Sequence, residues 1–535
     1  MYSRYTSESP LKNRLNLTFI YYFLTLIARE DTKINSAHKK RLQPMKILFV
    51  ISGVYFQEPM GTLQLSAIAR KRGHKTDMAV IGLHSVVDAV KAMQPDLIAY
   101  STMSADERMF IKHDNEVKEY LQSSGKNILR IMGGPHPTYF QNVLNTMDLD
   151  AICVGEGELA FTTILERVEN NDGISGIPNV MCRGETTVEK QVVDDLDSLP
   201  FVDRALFYRA RPTLSQIAMR SFLAGRGCPF QCSYCFNHAY NTMFKKAGKI
   251  HRRRSVDNLI EEIKYVKKYF PPLRFVKFAD DVFIFNKSPW LEEFAEKYRR
   301  EISLPFYCLM RSNVLTEDVA QLLSYAGCKS IGMALEAGNP DIRNIVLKRN
   351  LSNEVIMKSF ELAAKYNITT YGGIIIGVPG SKLEDDFQSV LFAKKVKLTV
   401  PVFNICAPYA GTDITKYAVE NGYLDKDFDR FPSCSEKSVF NCFPEYEKKV
   451  HQRLIYLGPL YCIIPFFPER LLRVLARFSL TRIYAIAYSV VSSYVMSRKI
   501  VPTANTKNPI TWIKVLMIYF RYWFQGLKTE FNQEG

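Results

Sequence analysis

Three cysteines near the middle of the chain are the residues best suited to chemistry. Within residues 225–235, which read Gly-Arg-Gly-Cys-Pro-Phe-Gln-Cys-Ser-Tyr-Cys, Cys228, Cys232 and Cys235 are spaced Cys-x3-Cys-x2-Cys. A zinc knuckle needs four ligands and a redox pair needs two cysteines, whereas three thiolates satisfy three irons of a [4Fe-4S] cubane. The fourth iron then stays open to a substrate or cofactor. The alternative interpretation is three structural cysteines.

Length, cysteine usage and charge set the context for these residues. The chain has 535 residues, which predicts two or three domains. Its eleven cysteines are scattered apart from the central three, which favours a reducing compartment over a disulfide framework. The net charge of +16 would suit nucleic acid, anionic lipid or phosphorylated substrates. However, the dense basic run 251–254 lacks interleaved aromatic residues, so no nucleic-acid partner is predicted.

A β/α alternation begins at Lys46 and predicts an α/β domain with a doubly wound, flavodoxin-like parallel sheet. Its predicted strands are 46–51, 76–81, 96–101, 127–132 and 151–154, and its predicted helices are 61–72, 86–93 and 106–123. In such a sheet, ligands bind beyond the carboxyl ends of the strands. Glycines at these ends allow a bulky flat ligand to approach the backbone. The candidate binding residues there are Ser101, Thr102, Gly133, Gly134, His136, Gly155, Glu156 and Gly157.

A second α/β domain follows a linker with a small predicted strand pair in 176–200. Strands at 217–224, 275–279, 306–310, 330–335, 369–376 and 402–407 alternate with helices at 255–270, 289–301, 316–326, 353–366 and 383–395. Six such repeats predict a parallel barrel or part of one, with its chemistry at the carboxyl ends of the strands. The cysteine loop directly follows the first of these strands.

The cysteine motif, with the aromatic residue Tyr234 before its last cysteine, resembles the radical S-adenosylmethionine (SAM) enzymes. The resemblance implies that Cys228, Cys232 and Cys235 hold a [4Fe-4S] cluster whose open iron binds SAM. One electron then splits SAM to a 5′-deoxyadenosyl radical. It also implies a partial (β/α)6 barrel fold of TIM type.

The same resemblance assigns further SAM contacts at the ends of the barrel strands. Tyr234 would lie beside the adenine, Glu336 would contact the ribose or amino group, and glycine at Gly377 would leave room for the nucleoside. Arg311 or Ser312 would bind polar groups of SAM. Asp280 and Asp281 are weaker candidates. Each of these residues could equally be a capping acid or a turn residue.

The strings Gly-Gly-Pro-His-Pro-Thr at 133–138 and Gly-Glu-Gly-Glu at 155–158 resemble the cobalamin-binding domain of one branch of these enzymes. The Asp-x-His-x-x-Gly element that supplies a cobalt ligand in many cobalamin domains is absent at 53–61. The residue that would be the lower axial ligand of the cobalt is therefore undetermined. His136 is a candidate only if it reaches the cobalt, and a loop-stabilising role is the alternative. A domain of this fold without cobalamin is a second alternative.

Five segments are predicted: an extension at 1–44, a cobalamin-binding-like domain at 45–185, a linker at 186–213, a radical SAM core at 214–440 and a helical region at 441–535. The apolar run 17–28 is too short to span a bilayer with confidence, and Met45 could be the natural start. The last segment has 13 Lys/Arg and 5 Asp/Glu, an excess of eight positive charges. We expect its helices to pack over the barrel mouth, and contact with an anionic membrane surface is the alternative.

Together the two resemblances imply a cytoplasmic enzyme that transfers a methyl group from cobalamin to an unactivated carbon of a small, apolar or lipid-like substrate. Cyclisation or rearrangement without methyl transfer is an alternative within the same cofactor class. An iron-sulfur binding or electron-transfer protein, and a peripheral membrane component, are alternatives from other classes. A reductase, flavodoxin or ferredoxin would supply the electron.

Overall fold

The computed structural model describes residues 43–53, 58–428 and 437–500. Contacts divide the chain into the units 1–44 and 45–535, and the fold described below belongs to the second. The apolar run 17–28 and the last part of the basic region, 501–535, lie outside the described residues. Predictions for these segments therefore stay predictions, as do the domain boundaries.

The first domain is built on a six-stranded sheet with the order β2-β1-β3-β4-β5-β6. Its strands are β1 (Lys46–Ser52), β2 (Lys75–Ile81), β3 (Leu97–Ser101), β4 (Leu129–Gly133), β5 (Ala151–Cys153) and β6 (Val180–Cys182). The first five are parallel and β6 is antiparallel to β5. The predicted doubly wound sheet is therefore confirmed. The predicted strand pair in 176–200 is wrong, because β6 pairs with this sheet instead.

Helices cover both faces of this sheet. They are α1 (Met60–Lys71), α2 (Val86–Met93), α3 (Glu107–Ser124), the short α4 (Pro135–Tyr139) and α5 (Val143–Thr146), and α6 (Glu158–Glu169). Two separate buried apolar clusters lie on the two faces: Phe49 and Phe161 belong to one, and Val50 and Phe110 to the other. Strands buried on both sides explain the continuous apolar run of β1.

The second domain has a six-stranded, all-parallel sheet with the order β14-β13-β12-β11-β10-β7. Its strands are β7 (Met219–Phe222), β10 (Phe275–Phe278), β11 (Phe306–Leu309), β12 (Cys328–Gly332), β13 (Thr369–Ile376) and β14 (Val400–Ile405), and the small pair β8 (Gly225–Arg226) and β9 (Arg252–Arg253) lies beside it. Successive strands of the chain are parallel neighbours in this sheet, as in a partial barrel. The fold class predicted from the sequence is confirmed.

The helices of this domain follow the predicted alternation. They are α7 (Arg204–Ala210) in the linker, α8 (Phe236–Met243), α9 (Val256–Tyr269), α10 (Pro289–Glu301), α11 (Glu317–Ala326), α12 (Asn353–Lys365), α13 (Leu383–Lys395) and α14 (Asp413–Glu420). Serine caps fix two of their starts: Ser255 accepts a bond of 3.2 Å from Asn258 N, and Ser352 accepts one of 3.3 Å from Val355 N.

Three further helices form the described part of the C-terminal region: α15 (Glu445–Ile463), α16 (Glu469–Leu475) and α17 (Thr481–Val495). Leu454 and Leu457 of α15 pack into the same apolar cluster as Phe403 and Ile405 of β14, which is the edge strand of the barrel sheet. The helices thus cover a sheet edge, which would otherwise expose a strand. The start of this region lies at the barrel mouth, since Phe443 packs with Val378 and Cys406 just beyond the carboxyl ends of β13 and β14. Val495 and Ile500 instead pack with Phe275 and Val400, at the opposite ends of the strands.

Within the described ranges, every helix is too short or too polar to cross a bilayer. On α16, Leu472 is buried whereas Leu471 is exposed, and Phe478 just beyond the helix is exposed as well. Neighbouring positions of a helix point about 100° apart, which separates Leu471 from Leu472.

Candidate functional site

The cysteine loop connects β8 to α8, and a buried carboxyl group holds the start of the loop. Asp280, at the end of β10, accepts bonds from Gly225 N at 2.5 Å and Ala224 N at 3.2 Å. Gly227 has φ +87°, and a Cβ there would lie 2.0 Å from Ile250 O. Only glycine therefore fits this turn, which directs the three cysteines towards the carboxyl end of the barrel.

The three cysteine side chains occupy a shielded environment. Cys228 and Cys232 are buried and Cys235 is half-buried. Burial raises the pKa of Cys228 to about 11 and that of Cys235 to about 12. The neighbouring thiolate charge of Cys232 acts in the same direction on both pKa values. A thiol with such a pKa stays protonated unless a metal binds it, because metal coordination stabilises the thiolate.

The geometry of these cysteines is not that of a single-ion site. Among residues 43–53, 58–428 and 437–500, no three His, Cys, Asp or Glu side chains converge closely enough to hold one metal ion. A cubane presents a different iron to each thiolate, so its ligands do not converge on one ion. Three mutually interacting, shielded thiols fit a cluster of this kind.

A hydrogen-bonded group lies beside the cysteine loop. Tyr234 donates a bond of 2.6 Å to Glu336 Oε1, and Arg349 lies with Nη1 3.5 Å from Cys232 Sγ and donates from Nη2 to Ala334 O at 3.0 Å. Burial raises the pKa of Glu336, and Arg349 and Tyr234 partly offset that effect. Burial lowers the pKa of Arg349, but Tyr234, Glu336 and Cys232 outweigh it and raise the pKa.

Glu336 has an unusual backbone conformation, with φ +65°. A residue other than glycine rarely adopts this region, and such strain is concentrated at functional sites. The surrounding sheet holds it there, since Glu336 N donates to Gly373 O at 3.2 Å and its carbonyl accepts from Ile375 N at 2.7 Å. The carboxylate is thereby aimed at Tyr234.

Several buried donors near this group have no partner among the described residues. They are Arg311 Nε, Ser312 Oγ and Arg349 Nε. Arg311 stacks over Phe230 at 4.3 Å, and its charge interacts with Arg349, Cys232 and Cys228. Since a buried donor without a partner costs about 1–3 kcal/mol, a set of them beside three thiols indicates a polar ligand.

Gly377 ends β13 with φ +63°. A Cβ there would lie 3.0 Å from His451 Nδ1, and Gly377 N donates to Asp386 Oδ1 at 2.9 Å. His451 of α15 in turn lies 2.9 Å from Asp386 Oδ2. The glycine is thus required by the close approach of α15, which explains its type independently of any nucleoside.

A cavity of about 890 Å³ connects the first sheet with the cysteine loop. This is near the upper end of ligand cavities, which are roughly 300–1,000 Å³. Six of the eight residues predicted from the first sheet line it: Ser101, Gly133, Gly134, Gly155, Glu156 and Gly157. From the second domain, Arg226, Gly227, Asp281 and Tyr409 line it. The cavity therefore meets both sets of strand ends.

The other two residues, Thr102 and His136, are buried and do not line the cavity. His136 stacks on Phe140 with ring centroids 5.1 Å apart, and its Nε2 lies 3.4 Å from Glu107 Oε1. Its position thus matches the loop-stabilising alternative. The assignment of both residues as cobalamin contacts stays a prediction.

The glycines of the first sheet make a close backbone surface at the cavity. Gly134 has φ +102°, and a Cβ there would lie 2.9 Å from Thr102 O. Gly155 has φ +92°, and a Cβ there would lie 2.2 Å from a ring carbon of Phe244. A smooth, glycine-rich wall at the end of a doubly wound sheet fits a large planar ligand such as a corrin ring.

Glu156 is anchored as well as exposed to the cavity. Arg252 binds both of its carboxylate oxygens, at 2.6 and 2.9 Å, and Val193 N donates to it at 2.9 Å. Burial raises the pKa of Glu156, but its pairing with Arg252 and Arg226 outweighs burial and lowers it. Glu156 thus also ties the first sheet to β9 of the second domain.

An aromatic wall, formed by Tyr139, Phe236 and Tyr409, lines part of the cavity, and it was not predicted from the sequence. Phe236 lies between Tyr139 and Tyr409, with ring centroids 4.5 and 4.7 Å away. Tyr139 also donates to Phe236 O at 3.0 Å. The one sequence signal for this wall is that Phe236 directly follows the last cysteine of the motif.

The buried carboxylate of Glu58 links the two domains. Glu58, which precedes α1, accepts from Tyr208 at 2.6 Å and from Ser221 N at 2.7 Å, and it pairs with Arg204. Arg204 also donates to Ser221 O at 2.6 Å. Because Ser221 belongs to β7, the cobalamin-type sheet and the barrel are fixed to one another.

The chain matches two family models. Residues 222–391 match the radical SAM superfamily and residues 48–165 match the B12 binding domain. These spans contain the cysteine loop with the barrel and the glycine-rich sheet, respectively.

Curated relatives include three methyltransferases. An uncharacterized methyltransferase, PH0819, of Pyrococcus horikoshii is 24% identical, covering 68% of this chain and 79% of the relative. Cytidylyl-2-hydroxyethylphosphonate methyltransferase of Streptomyces wedmorensis is 20% identical (66% and 72%). Bacteriochlorophyllide d C-8(2)-methyltransferase of Chlorobaculum tepidum is 23% identical (59% and 68%).

Solved structures of the same architecture include the cobalamin-dependent SAM radical enzyme OxsB with aqua-cobalamin and SAM bound. Its TM-score is 0.64 at 12% identity, covering 92% of this chain and 80% of that one. The radical SAM methyltransferase TsrM of Kitasatospora setae, with cobalamin and a [4Fe-4S] cluster bound, has a TM-score of 0.59 at 12% identity (85% and 100%). At these identities the likeness concerns the fold.

The chain belongs to the radical SAM enzymes that carry a cobalamin-binding domain. It is therefore an enzyme, and its cofactors are a [4Fe-4S] cluster, SAM and cobalamin. The residues present fit all three: shielded thiols for the cluster, buried donors without partners for SAM, and a glycine-lined cavity for cobalamin.

Proposed function

We propose that the enzyme transfers a methyl group to an unactivated carbon of a small molecule held between its two domains. The observation that carries this proposal is the cavity that reaches from the glycine-rich ends of the first sheet to Arg226, Gly227 and Phe236, which flank the three cysteines. When bound, SAM and the cluster supply hydrogen abstraction and cobalamin supplies a transferable methyl group. The protein supplies binding, orientation and exclusion of water.

The cysteine loop and the barrel strand ends beside the cavity bind the cluster and SAM in this proposal, although the three cysteines do not themselves line the cavity. Cys228, Cys232 and Cys235 are the cluster ligands. Arg349 offers a buried positive charge for the carboxylate of SAM, and Glu336 offers a negative charge for its amino group or an acceptor for its ribose hydroxyls. Because these charges are buried, their interactions with a zwitterionic ligand are stronger than in water.

Further SAM contacts are proposed at the ends of the neighbouring strands. Tyr234 positions Glu336 through its hydrogen bond and offers its ring to the adenine. Arg311 and Ser312 offer the donors that have no partner among the described residues. Gly377 is assigned to the nucleoside by sequence reasoning alone, since α15 already accounts for its type.

The sheet side of the cavity binds cobalamin in this proposal. Gly133, Gly134, Gly155 and Gly157 form the surface for the corrin ring, and Ser101 and Glu156 offer polar contacts at its edge. His136 is not proposed as the cobalt ligand, because its ring packs against Phe140 inside the domain.

We propose an apolar or planar substrate that contacts the wall of Tyr139, Phe236 and Tyr409. Aromatic side chains contribute large apolar contact areas and stack on flat groups. Two relatives are named for cytidylyl-2-hydroxyethylphosphonate and for bacteriochlorophyllide d, so the family alone does not select the substrate. An external reductase, flavodoxin or ferredoxin is the proposed electron source.

The test is reconstitution without oxygen. The purified protein is loaded with iron, sulfide and cobalamin, and SAM and a reductant are added. We expect bound iron, bound cobalamin and formation of 5′-deoxyadenosine and S-adenosylhomocysteine, measured by mass spectrometry. The matched control is Cys232→Ala beside Cys308→Ala, since Cys308 is equally buried but lies outside the loop.

Three outcomes would change the proposal. Failure to bind cobalamin would remove methyl transfer from it. Formation of 5′-deoxyadenosine without a methylated product, once a substrate is found, would favour the cyclisation or rearrangement alternative. Bound iron with no SAM cleavage in any condition would favour an electron-transfer role.

A further inference from the structure

The two last described helices present apolar side chains to solvent. On α17, Ile483, Ile486, Val490 and Tyr494 are 59%, 55%, 53% and 59% exposed. On α16 and just beyond it, Leu471, Val474 and Phe478 are 45%, 48% and 56% exposed. Single exposed apolar residues are ordinary, but repeated ones on adjacent elements mark an interaction surface.

The exposed residues of α17 form one face of the helix. Their spacing of three, four and four residues places them within a stripe of about 80° at 100° per residue. The buried residues Tyr484, Ala485 and Val495 lie on the opposite side. A surface helix normally turns polar residues to solvent, so α17 has two apolar faces, of which the described residues cover one.

The charges of α16, α17 and the residues up to 500 are basic, with the exception of Glu469, which pairs with Arg473. Residues 470–500 contain five arginines and one lysine and no aspartate or glutamate. Arg470, Arg477, Arg482, Arg498 and Lys499 are exposed. Arg473 differs, because Glu384 and Glu469 both pair with it, at 2.7 Å each.

We propose that the surface formed by α16 and α17 docks on an anionic lipid bilayer. Exposed Ile, Val, Leu, Phe and Tyr side chains enter the boundary between headgroups and acyl chains, and the flanking arginines bind lipid phosphates. Arg498 lies 5.9 Å from the ring of Tyr494, which pairs a cation with an aromatic residue of the interfacial type. The helices lie in the interface, since neither can span it.

Charge argues for a bilayer over two protein partners. A second copy joined through this face in a two-fold dimer would bring the same basic residues together, and like charges repel. The chain segment 501–535 has Lys507, Lys514, Arg521 and Lys528 against Glu530 and Glu534, so it is also basic. An anionic membrane surface is the partner whose charge is opposite to that of the face.

Vesicle sedimentation of the intact chain tests this, and needs neither the cluster nor cobalamin. Vesicles contain phosphatidylcholine alone or phosphatidylcholine and phosphatidylglycerol in equal parts. We expect the protein to pellet with the anionic vesicles and to dissociate as salt increases, because screening weakens surface charge interactions. Equal, salt-independent pelleting with both vesicles, or no pelleting with either, would overturn the proposal.

Two variant pairs separate the apolar and charged contributions. Ile486→Gln with Val490→Gln should weaken binding at least about tenfold, since each loses apolar area from the interface. The matched control is Val355→Gln, an exposed apolar residue on α12. Arg477→Gln with Arg498→Gln should weaken binding about fivefold for each charge removed. Lys112→Gln with Lys358→Gln removes the same charge elsewhere and should have little effect.

Hydrogen exchange distinguishes the other occupants of the face. We expect α16 and α17 to become protected only when anionic vesicles are added. Protection without vesicles together with a dimeric mass by light scattering would assign the face to a second copy. Protection without vesicles in a monomer would assign it to residues 501–535. Either of these last results overturns the proposal, while leaving methyl transfer untouched.

Discussion

The Tyr234 hydroxyl donates a hydrogen bond of 2.6 Å to Glu336 Oε1, which links the cysteine loop to a residue with φ +65° just beyond β12. The two side chains are 102 residues apart in sequence. Burial raises the pKa of Tyr234 well above its usual range, and the negative charge of Glu336 adds to this, so the hydroxyl is a donor at any physiological pH. The carboxylate is thereby held in one orientation.

Removal of this bond should weaken SAM binding. We expect Tyr234→Phe to raise the dissociation constant of SAM about tenfold, which corresponds to about 1.4 kcal/mol for one lost hydrogen bond to a buried carboxylate. The measurement is equilibrium dialysis of the iron-loaded protein. Tyr298→Phe is the control, because Tyr298 is buried on α10 and its hydroxyl has no partner among the described residues. Equal affinities of the two variants would contradict the assignment.

Arg349 should set the reduction potential of the cluster. Its Nη1 is 3.5 Å from Cys232 Sγ, so its charge stabilises the added negative charge of the reduced state. We expect Arg349→Gln to lower the potential by on the order of 50 mV, since about 1 kcal/mol of lost charge interaction equals ~40 mV for one electron. Arg349→Lys keeps the charge, so its reduction potential should lie between those of the wild type and of Arg349→Gln.

The readout for Arg349 is a redox titration followed by electron paramagnetic resonance without SAM. Iron content is measured in parallel, which separates an altered potential from a lost cluster. An unchanged potential in a fully iron-loaded Arg349→Gln protein would show that the arginine does not act on the cluster.

Gly133→Val should block cobalamin while leaving the fold intact. A Cβ at Gly133 meets only Cys153 Cβ, at the ordinary distance of 3.6 Å, so the fold has room for it. Since Gly133 lines the cavity, the added side chain takes space from a ligand there. We expect cobalamin affinity to fall at least about tenfold and the free energy of unfolding to change by less than about 1 kcal/mol.

The control for this substitution is Gly173→Val. Gly173 belongs to the same domain, and a Cβ there meets nothing within 4 Å. Cobalamin binding is followed by its visible absorption after gel filtration. If both valine variants retain cobalamin equally, the glycine surface is not the corrin site.

Asp280 should give the protein a specific pH dependence of stability. Burial raises the pKa of this carboxyl to about 7, although the Ala224 and Gly225 amides oppose the shift. In the unfolded chain its pKa is about 3.9. Between these values the folded protein keeps a proton that the unfolded chain has released, so the free energy of unfolding falls as pH rises from about 4 to about 7.

The comparison for Asp280 is Asp280→Asn, which cannot ionise. We expect the wild type to lose stability relative to this variant as pH rises through the window, measured by urea unfolding of the metal-free protein at several pH values. Asp280→Ala should be about 1–3 kcal/mol less stable than Asp280→Asn at every pH, because the asparagine oxygen still accepts a backbone hydrogen bond and alanine accepts none. A pH-independent difference between wild type and Asp280→Asn would contradict the raised pKa.

Local patterns predicted much of the fold. The helices Val86–Met93, Pro289–Glu301 and Leu383–Lys395 and the strand Thr369–Ile376 begin and end where the sequence placed them. In each case a period of apolar residues, with polar or glycine-rich stretches around it, defines the element. The strand β6 was misassigned because a three-residue strand has no period, and only its pairing with β5 defines it.

The site was predictable where short motifs carry it and not where tertiary packing does. The cysteines and the glycine strings are contiguous in sequence. Arg349 lies in the loop between β12 and α12 and reaches Cys232 across 117 residues, so no local pattern marks it. The sequence could not tell which of the tail helices lies at the barrel mouth, because amphipathicity says that a helix packs but not against which surface.

Glu58 has a consequence for the connection between the domains. Its carboxylate holds both Arg204, which follows the connecting stretch 183–200, and Ser221 of the barrel. The separation of the two ligand platforms is therefore set by Glu58 together with Glu156, which pairs with Arg252 of β9, and not by the number of residues that join them. Extra residues in that connection would loop outwards and leave the gap between the platforms unaltered, so its length is free to vary among proteins that share this design.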